Sequence, residues 1–119
     1  MIFTSLGEDG GCACEKILAG TKTVTRRQKP LPVGKEFAVQ PGRGKKAACR
    51  AVVVACVPHN SWYASEISPL EGTPRWKEAM LAEARAEGFE SVDGWLDWYP
   101  AHKLDVNETY RIEFRKKSF

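Results

Sequence analysis

Ala47-Ala48-Cys49-Arg50-Ala51-Val52-Val53-Val54-Ala55-Cys56-Val57 is the stretch on which the fold turns. Its valines favour an extended chain, and it is bounded by the turn Pro41-Gly42-Arg43-Gly44 and by Pro58, so a strand is predicted over 48–57. Val52-Val53-Val54 does not alternate with polar residues, which predicts a strand covered on both faces. Upstream, Phe37 and Val39 alternate with Ala38 and Gln40, predicting a partner strand over 36–40 across the turn. At the far end, Thr109-Tyr110-Arg111-Ile112-Glu113-Phe114-Arg115 alternates strictly and predicts a strand with Tyr110, Ile112 and Phe114 facing the core. Ala51–Val57 is also the longest apolar run, seven residues, far short of the ~20 that a membrane span needs.

Helices fill the spaces between these strands. Thr73 as N-cap, Pro74 at the first helical position and Trp76, Met80, Leu81 and Ala84 on one face predict a helix from Pro74 to Glu87, ended by Gly88. Ser91 caps a shorter helix with Val92, Trp95, Leu96 and Trp98, stopped by Pro100. A first helix lies between Gly10-Gly11 and Gly20, with Asp9 as a possible N-cap and Ile17 and Leu18 on its buried stripe. Residues 58–72 read as irregular. The order is helix, three strands, two helices, strand, and it predicts one α+β domain over 1–119: a small mixed β-barrel with helices on its rim.

The 119 residues suit a single core, and 43% hydrophobic with 28% charged residues excludes a disordered chain. A net charge of +3 permits a nucleic-acid or nucleotide partner without demanding one. Cys12, Cys14, Cys49 and Cys56 lack zinc-knuckle spacing, and His59 and His102 stand alone, so no metal or other cofactor is expected. Met1-Ile2-Phe3-Thr4 has no basic segment of a secretory signal. Reduced thiols and a cytoplasmic location are the expectation.

Gly20-Thr21-Lys22-Thr23-Val24-Thr25-Arg26-Arg27 carries the densest chemistry. If 23–27 is extended, Thr23, Thr25 and Arg27 share one face and Val24 anchors the other. A desolvated lysine can lose its proton near neutral pH and serve as base to a nearby hydroxyl. Spacing alone favours a solvated basic turn after the helix. The functional reading is a Lys22–Thr25 pair with Arg27 holding an anion or carboxylate.

Gly20-x-Lys22-x-x-Thr25-x-Arg27 resembles the signature of the ASCH domain. Ile17-Leu18-Ala19-Gly20, Ala86-Glu87-Gly88-Phe89 and Tyr110-Arg111-Ile112-Glu113-Phe114 resemble the flanks of that family in the same order, so the resemblance covers nearly the whole chain. It implies a PUA-like β-barrel, a fold associated with RNA. The resemblance extends to the small N(4)-acetylcytidine amidohydrolases, and implies Lys22, Thr25 and Glu87 as catalytic residues. The chain departs from them in extra length over 58–75 and in Arg26, where the amidohydrolase pattern has an apolar residue. Arg26 would add charge beside the site and favour a phosphorylated or polymeric substrate.

Glu87 ends its predicted helix, where a carboxylate opposes the helix dipole, which suggests a tertiary partner such as Lys22 or Arg27. Glu83, one turn back, is the structural alternative. Arg43-Gly44-Lys45-Lys46 with Arg50 is either a solvated hairpin turn or a phosphate-contacting rim; Arg115-Lys116-Lys117 reads as a solvated tail. Trp62-Tyr63 and Trp98-Tyr99 are packing residues or base-stacking rings. The expected partner is a nucleoside or single-stranded RNA, met without a membrane. The expected activity is amide hydrolysis of an N(4)-acylated cytidine, with a non-catalytic RNA-binding module or a metal-independent ribonuclease as the competing readings.

Overall fold

A computed structural model describes residues 13–41 and 46–117. The elements are α1 (Ala13–Leu18), β1 (Val24–Arg27), β2 (Glu36–Val39), β3 (Cys49–Pro58), α2 (His59–Trp62), α3 (Pro74–Ala86), α4 (Val92–Ala101) and β4 (Tyr110–Lys116). The four strands form one antiparallel sheet in the order β1-β4-β3-β2. The long Val-rich strand is central, as its composition requires, and pairs on both sides.

Among the described residues the expected barrel does not close: β1 and β2, four residues each, stand at opposite edges of the sheet. Strands this short do not carry the sheet round far enough to meet. The expectation that β3 is covered on both faces is also corrected. Ala51 and Val53 are buried, whereas Arg50, Val54 and Val57 are exposed. A register irregularity between Val53 and Ala55 accounts for the unbroken valine run: the strand keeps one buried face while carrying an extra residue.

The apolar face packs Phe37, Val39, Ala51, Val53, Ile112 and Phe114 with α1 residues Ala13, Cys14 and Ile17 and with Trp62, Met80, Ala84, Trp95 and Tyr99. Ile112 and Phe114 are buried as the alternation predicts, with Tyr110 partly covered. Residues 58–72 are not irregular. They wind through α2, a π-helical turn over Tyr63–Ile67 and a 3-10 turn over Ser68–Leu70, which buries Trp62 and Ile67. Ser91 caps α4 by accepting from the Gly94 N–H at 3.0 Å. The Thr73 hydroxyl donates back to Leu70 O instead of capping α3. Pro100 lies inside α4 instead of stopping it; the turn comes at Lys103, whose φ is +58°. Asp9, Gly10, Gly11, Cys12, Arg43 and Lys45 lie outside the described residues. No helix among the described residues is long and apolar enough to cross a membrane.

Candidate functional site

The start of β1 is laid against the end of α3. The Thr23 N–H donates to Ala86 O at 2.8 Å, which brings Lys22 to the helix terminus. Lys22 is buried, and its Nζ donates to Val24 O at 2.7 Å and to the main-chain O of Glu87 at 2.6 Å. Burial pulls its amine from 10.5 down to about 7; Glu87 opposes that shift, while Arg27, Arg26 and Lys16 add to it. In the neutral form two N–H bonds serve the two carbonyls, and the nitrogen retains the lone pair that a general base needs.

Glu87 is the C-cap of α3, and Gly88 follows at φ +102°. Its carboxylate has the tertiary partners that its position against the dipole calls for, but they are neither Lys22 nor Arg27. Arg26 Nη1 donates to it at 2.8 Å, Trp95 Nε1 at 2.6 Å, and the Tyr99 hydroxyl completes the set. Glu83, the structural alternative, belongs to the same network: it accepts from Arg26 Nη2 at 2.7 Å and from Arg111 Nε at 2.6 Å. Burial pushes the Glu83 carboxyl up, yet Arg111 and Arg26 outweigh it and leave the group below its ordinary value.

Arg26 therefore sits inside the protein. Its side chain has no exposed surface, Nε donates to His59 Nδ1 at 3.0 Å, and the guanidinium lies 4.7 Å from the Trp62 ring centre and 5.0 Å from that of Trp95. Each guanidinium nitrogen is already engaged by His59, Glu83 or Glu87, so Arg26 ties β1 to the end of α3, which corrects the expectation that it adds charge to a substrate-facing surface. Burial, with the neighbouring Arg26, pulls the His59 imidazole from 6.5 down to about 4, so it accepts this bond as the neutral ring. A buried guanidinium is tolerated where its charge is paired and its nitrogens are hydrogen-bonded, and here each of the three nitrogens donates to a partner.

Val24, Thr25 and Arg26 are all buried, so β1 does not divide into a core face and a cleft face. Thr25 stands opposite Ile112 and shares its sheet face. Among the described residues no hydrogen bond joins Lys22 Nζ to Thr25 Oγ1. Arg27 is half-buried; burial lowers its pKa, and Glu87 and Tyr99 act against that shift. A pocket of about 490 Å³ opens at this junction, walled by Thr21, Thr23, Ala86, Gly88 and Phe89 with Lys16 and Arg85. Thr21 and Thr23 flank Lys22 in the chain, and Ala86 and Gly88 flank Glu87, while Lys22, Thr25 and Glu87 do not themselves line the pocket. Arg43 and Lys45 fall outside the described residues. No group of three or more metal-ligating side chains occurs among the described residues.

Sequence reasoning singled out Lys22, Thr25 and Glu87 but passed over Arg111, Trp95 and Tyr99 as site-building residues. The signal available was Arg26 itself, a guanidinium in a strand that must be covered and hence must find carboxylates.

No protein-family model matches the sequence, and no curated protein matches it. Solved structures do match. An ASCH protein from Zymomonas mobilis aligns with 98% of this chain at 17% identity and TM-score 0.51, and a mutant form of it with 96% at 18% identity and TM-score 0.52. A DUF984 protein from Enterococcus faecalis aligns with 98% at 15% identity and TM-score 0.52. This chain spans 66% and 67% of the two Zymomonas chains and 80% of the Enterococcus chain. With a four-stranded antiparallel sheet, flanking helices and these structural neighbours, the chain has the ASCH-domain fold.

Proposed function

We propose that the protein is a hydrolase of the amide bond in an N(4)-acylated cytidine, with Lys22 as general base and Thr25 as nucleophile. The observation that carries this reading is Lys22: a buried amine, brought to about 7 and held in place by two main-chain carbonyls. A solvated basic turn has none of these properties. Thr25 Oγ1 attacks the acyl carbonyl as its proton passes to Lys22 Nζ; the tetrahedral adduct collapses, and the leaving cytidine amine takes that proton back. Water then attacks the Thr25 ester, again giving a proton to Lys22; the ester C–O bond breaks, that proton returns from Lys22 to Thr25 Oγ1, and the carboxylic acid is released with hydroxyl and neutral base restored. Contacts between base and nucleophile commonly tighten only with substrate in place, so their separation here is compatible with the scheme. Glu87 orients, with its main-chain O on Lys22 and its carboxylate fixed by Arg26, Trp95 and Tyr99. Arg27 is the candidate contact for the ribose or its phosphate.

The test is chromatography after incubation with N(4)-acetylcytidine and, separately, with single-stranded RNA. Deacylation lost in Lys22→Ala and Thr25→Ala supports the reading. RNA cleavage without deacylation supports the ribonuclease, and RNA retention without turnover of either substrate supports the binding module.

A further inference from the structure

The outer face of the sheet bears charges that the Lys22 site does not use. Glu36 pairs with Val52, and Val52 with Arg115, forming one row across three strands. In the next row Ala38 pairs with Arg50, and the Lys117 N–H donates to Arg50 O at 2.9 Å, one residue past the end of β4. Opposed residues and alternate residues share a face. Glu36, Arg50, Arg115 and Lys117 therefore stand together, and all four are exposed. The sheet beyond them is bare as well, with Val54 39% and Val57 37% exposed.

The arrangement is unfavourable by itself. Like charges directly opposed across two strands destabilise a sheet, and Arg50 and Lys117 are so placed. Glu36 is the carboxylate set among these three cations; Glu113, two residues before Arg115 on the same face, is paired to Arg111. It is ion-paired to Lys117, and its carboxyl is held below the ordinary value by that bond, with Arg50 contributing. A shallow concavity of about 600 Å³ opens here, lined by Gly34, Glu36, Val52, Arg115, Lys116 and Lys117. It offers cations and small aliphatic surface, with no ring to stack a base. Alternate residues of a strand lie about 7 Å apart and neighbouring strands about 5 Å apart, a grid that a flexible phosphodiester chain can follow and a rigid duplex meets only along one line.

We propose that this face docks the phosphate backbone of a single-stranded nucleic acid, and that Glu36 is an internal competitor that occupies Lys117 until a phosphate displaces it. The inference rests on the reading of a nucleic-acid type of partner but is independent of the Lys22 chemistry. The experiment is fluorescence anisotropy with an end-labelled short oligouridylate over a salt series. Glu36→Gln is expected to bind several-fold tighter than the parent. Arg50→Gln and Arg115→Gln are each expected to bind several-fold more weakly and to flatten the log–log salt slope by about 0.7. Both arginine variants should turn over N(4)-acetylcytidine like the parent, so absence of turnover in the parent counts against the Lys22 reading alone. All three positions are exposed, and circular dichroism checks that the fold is kept. The proposal is overturned if the parent does not bind the oligouridylate, if Glu36→Gln binds no tighter, if both arginine variants bind as the parent does, or if oligoglutamate binds as well as oligouridylate.

Discussion

Lys22 is the residue whose protonation links the site to stability. With a folded value near 7 against an ordinary 10.5, the unfolded chain holds its proton over a range where the folded chain has released it. Between about pH 7 and 10.5 the unfolded state binds more protons, so stability rises with pH across that window; below it the cost of the buried charge is fully present. The rise should be on the order of a few kcal/mol in urea unfolding and should vanish in Lys22→Met. If Lys22 is the base, kcat/KM should climb through about pH 7 and level above it, and Lys22→Ala should lose at least ~10²-fold in turnover. His59 acts on the acid side. Its folded value near 4 lies under the ordinary 6.5, so its contribution is present above 6.5 and lost as pH falls to about 4. Replacing it with Gln, which can still accept from Arg26, should flatten that acid limb.

At the scale of elements, the contact between β1 and the end of α3 decides whether there is a site at all. Arg26 clamps Glu83 and Glu87, one turn apart on α3, while Lys22 holds the Glu87 carbonyl. Arg26→Met leaves two buried carboxylates without their shared cation and should destabilise the fold by about 3–5 kcal/mol in urea titration. Removing the Ser91 side chain takes away the α4 cap and should cost about 1 kcal/mol. Because α4 carries Trp95 and Tyr99 to Glu87, fraying of its first turn should also broaden the indole N–H resonance of Trp95.

Across the whole molecule, the sheet is secured at its centre and open at its edges. β3 is paired on both sides and β4 lies between it and β1, whereas β2 is a four-residue edge. Amide exchange should therefore be slowest along β3 and β4 and fastest in β2. Uniform exchange across all four strands would show that the sheet opens as one unit.

Strands β2, β3 and β4, helix α3 and the capped start of α4 were legible from local pattern, because alternation, β-branching and N-cap chemistry act within a few residues. Lys22 and Thr25 were legible as a candidate pair, and Glu87 as a carboxylate in need of a partner. Only the tertiary structure decided which partner, since Arg26 and Glu87 are 61 residues apart and the choice among Lys22, Arg26 and Arg27 depends on how β1 twists against α3. It also decided that, among the described residues, the sheet does not close and that Arg50, Val54 and Val57 of β3 are exposed. Apolar run length records β-branched preference and local burial, but closure depends on edge strands finding one another. The charges of Arg50, Arg115 and Lys117 were visible in the chain, while their meeting on one face was set by strand register, which no single segment carries.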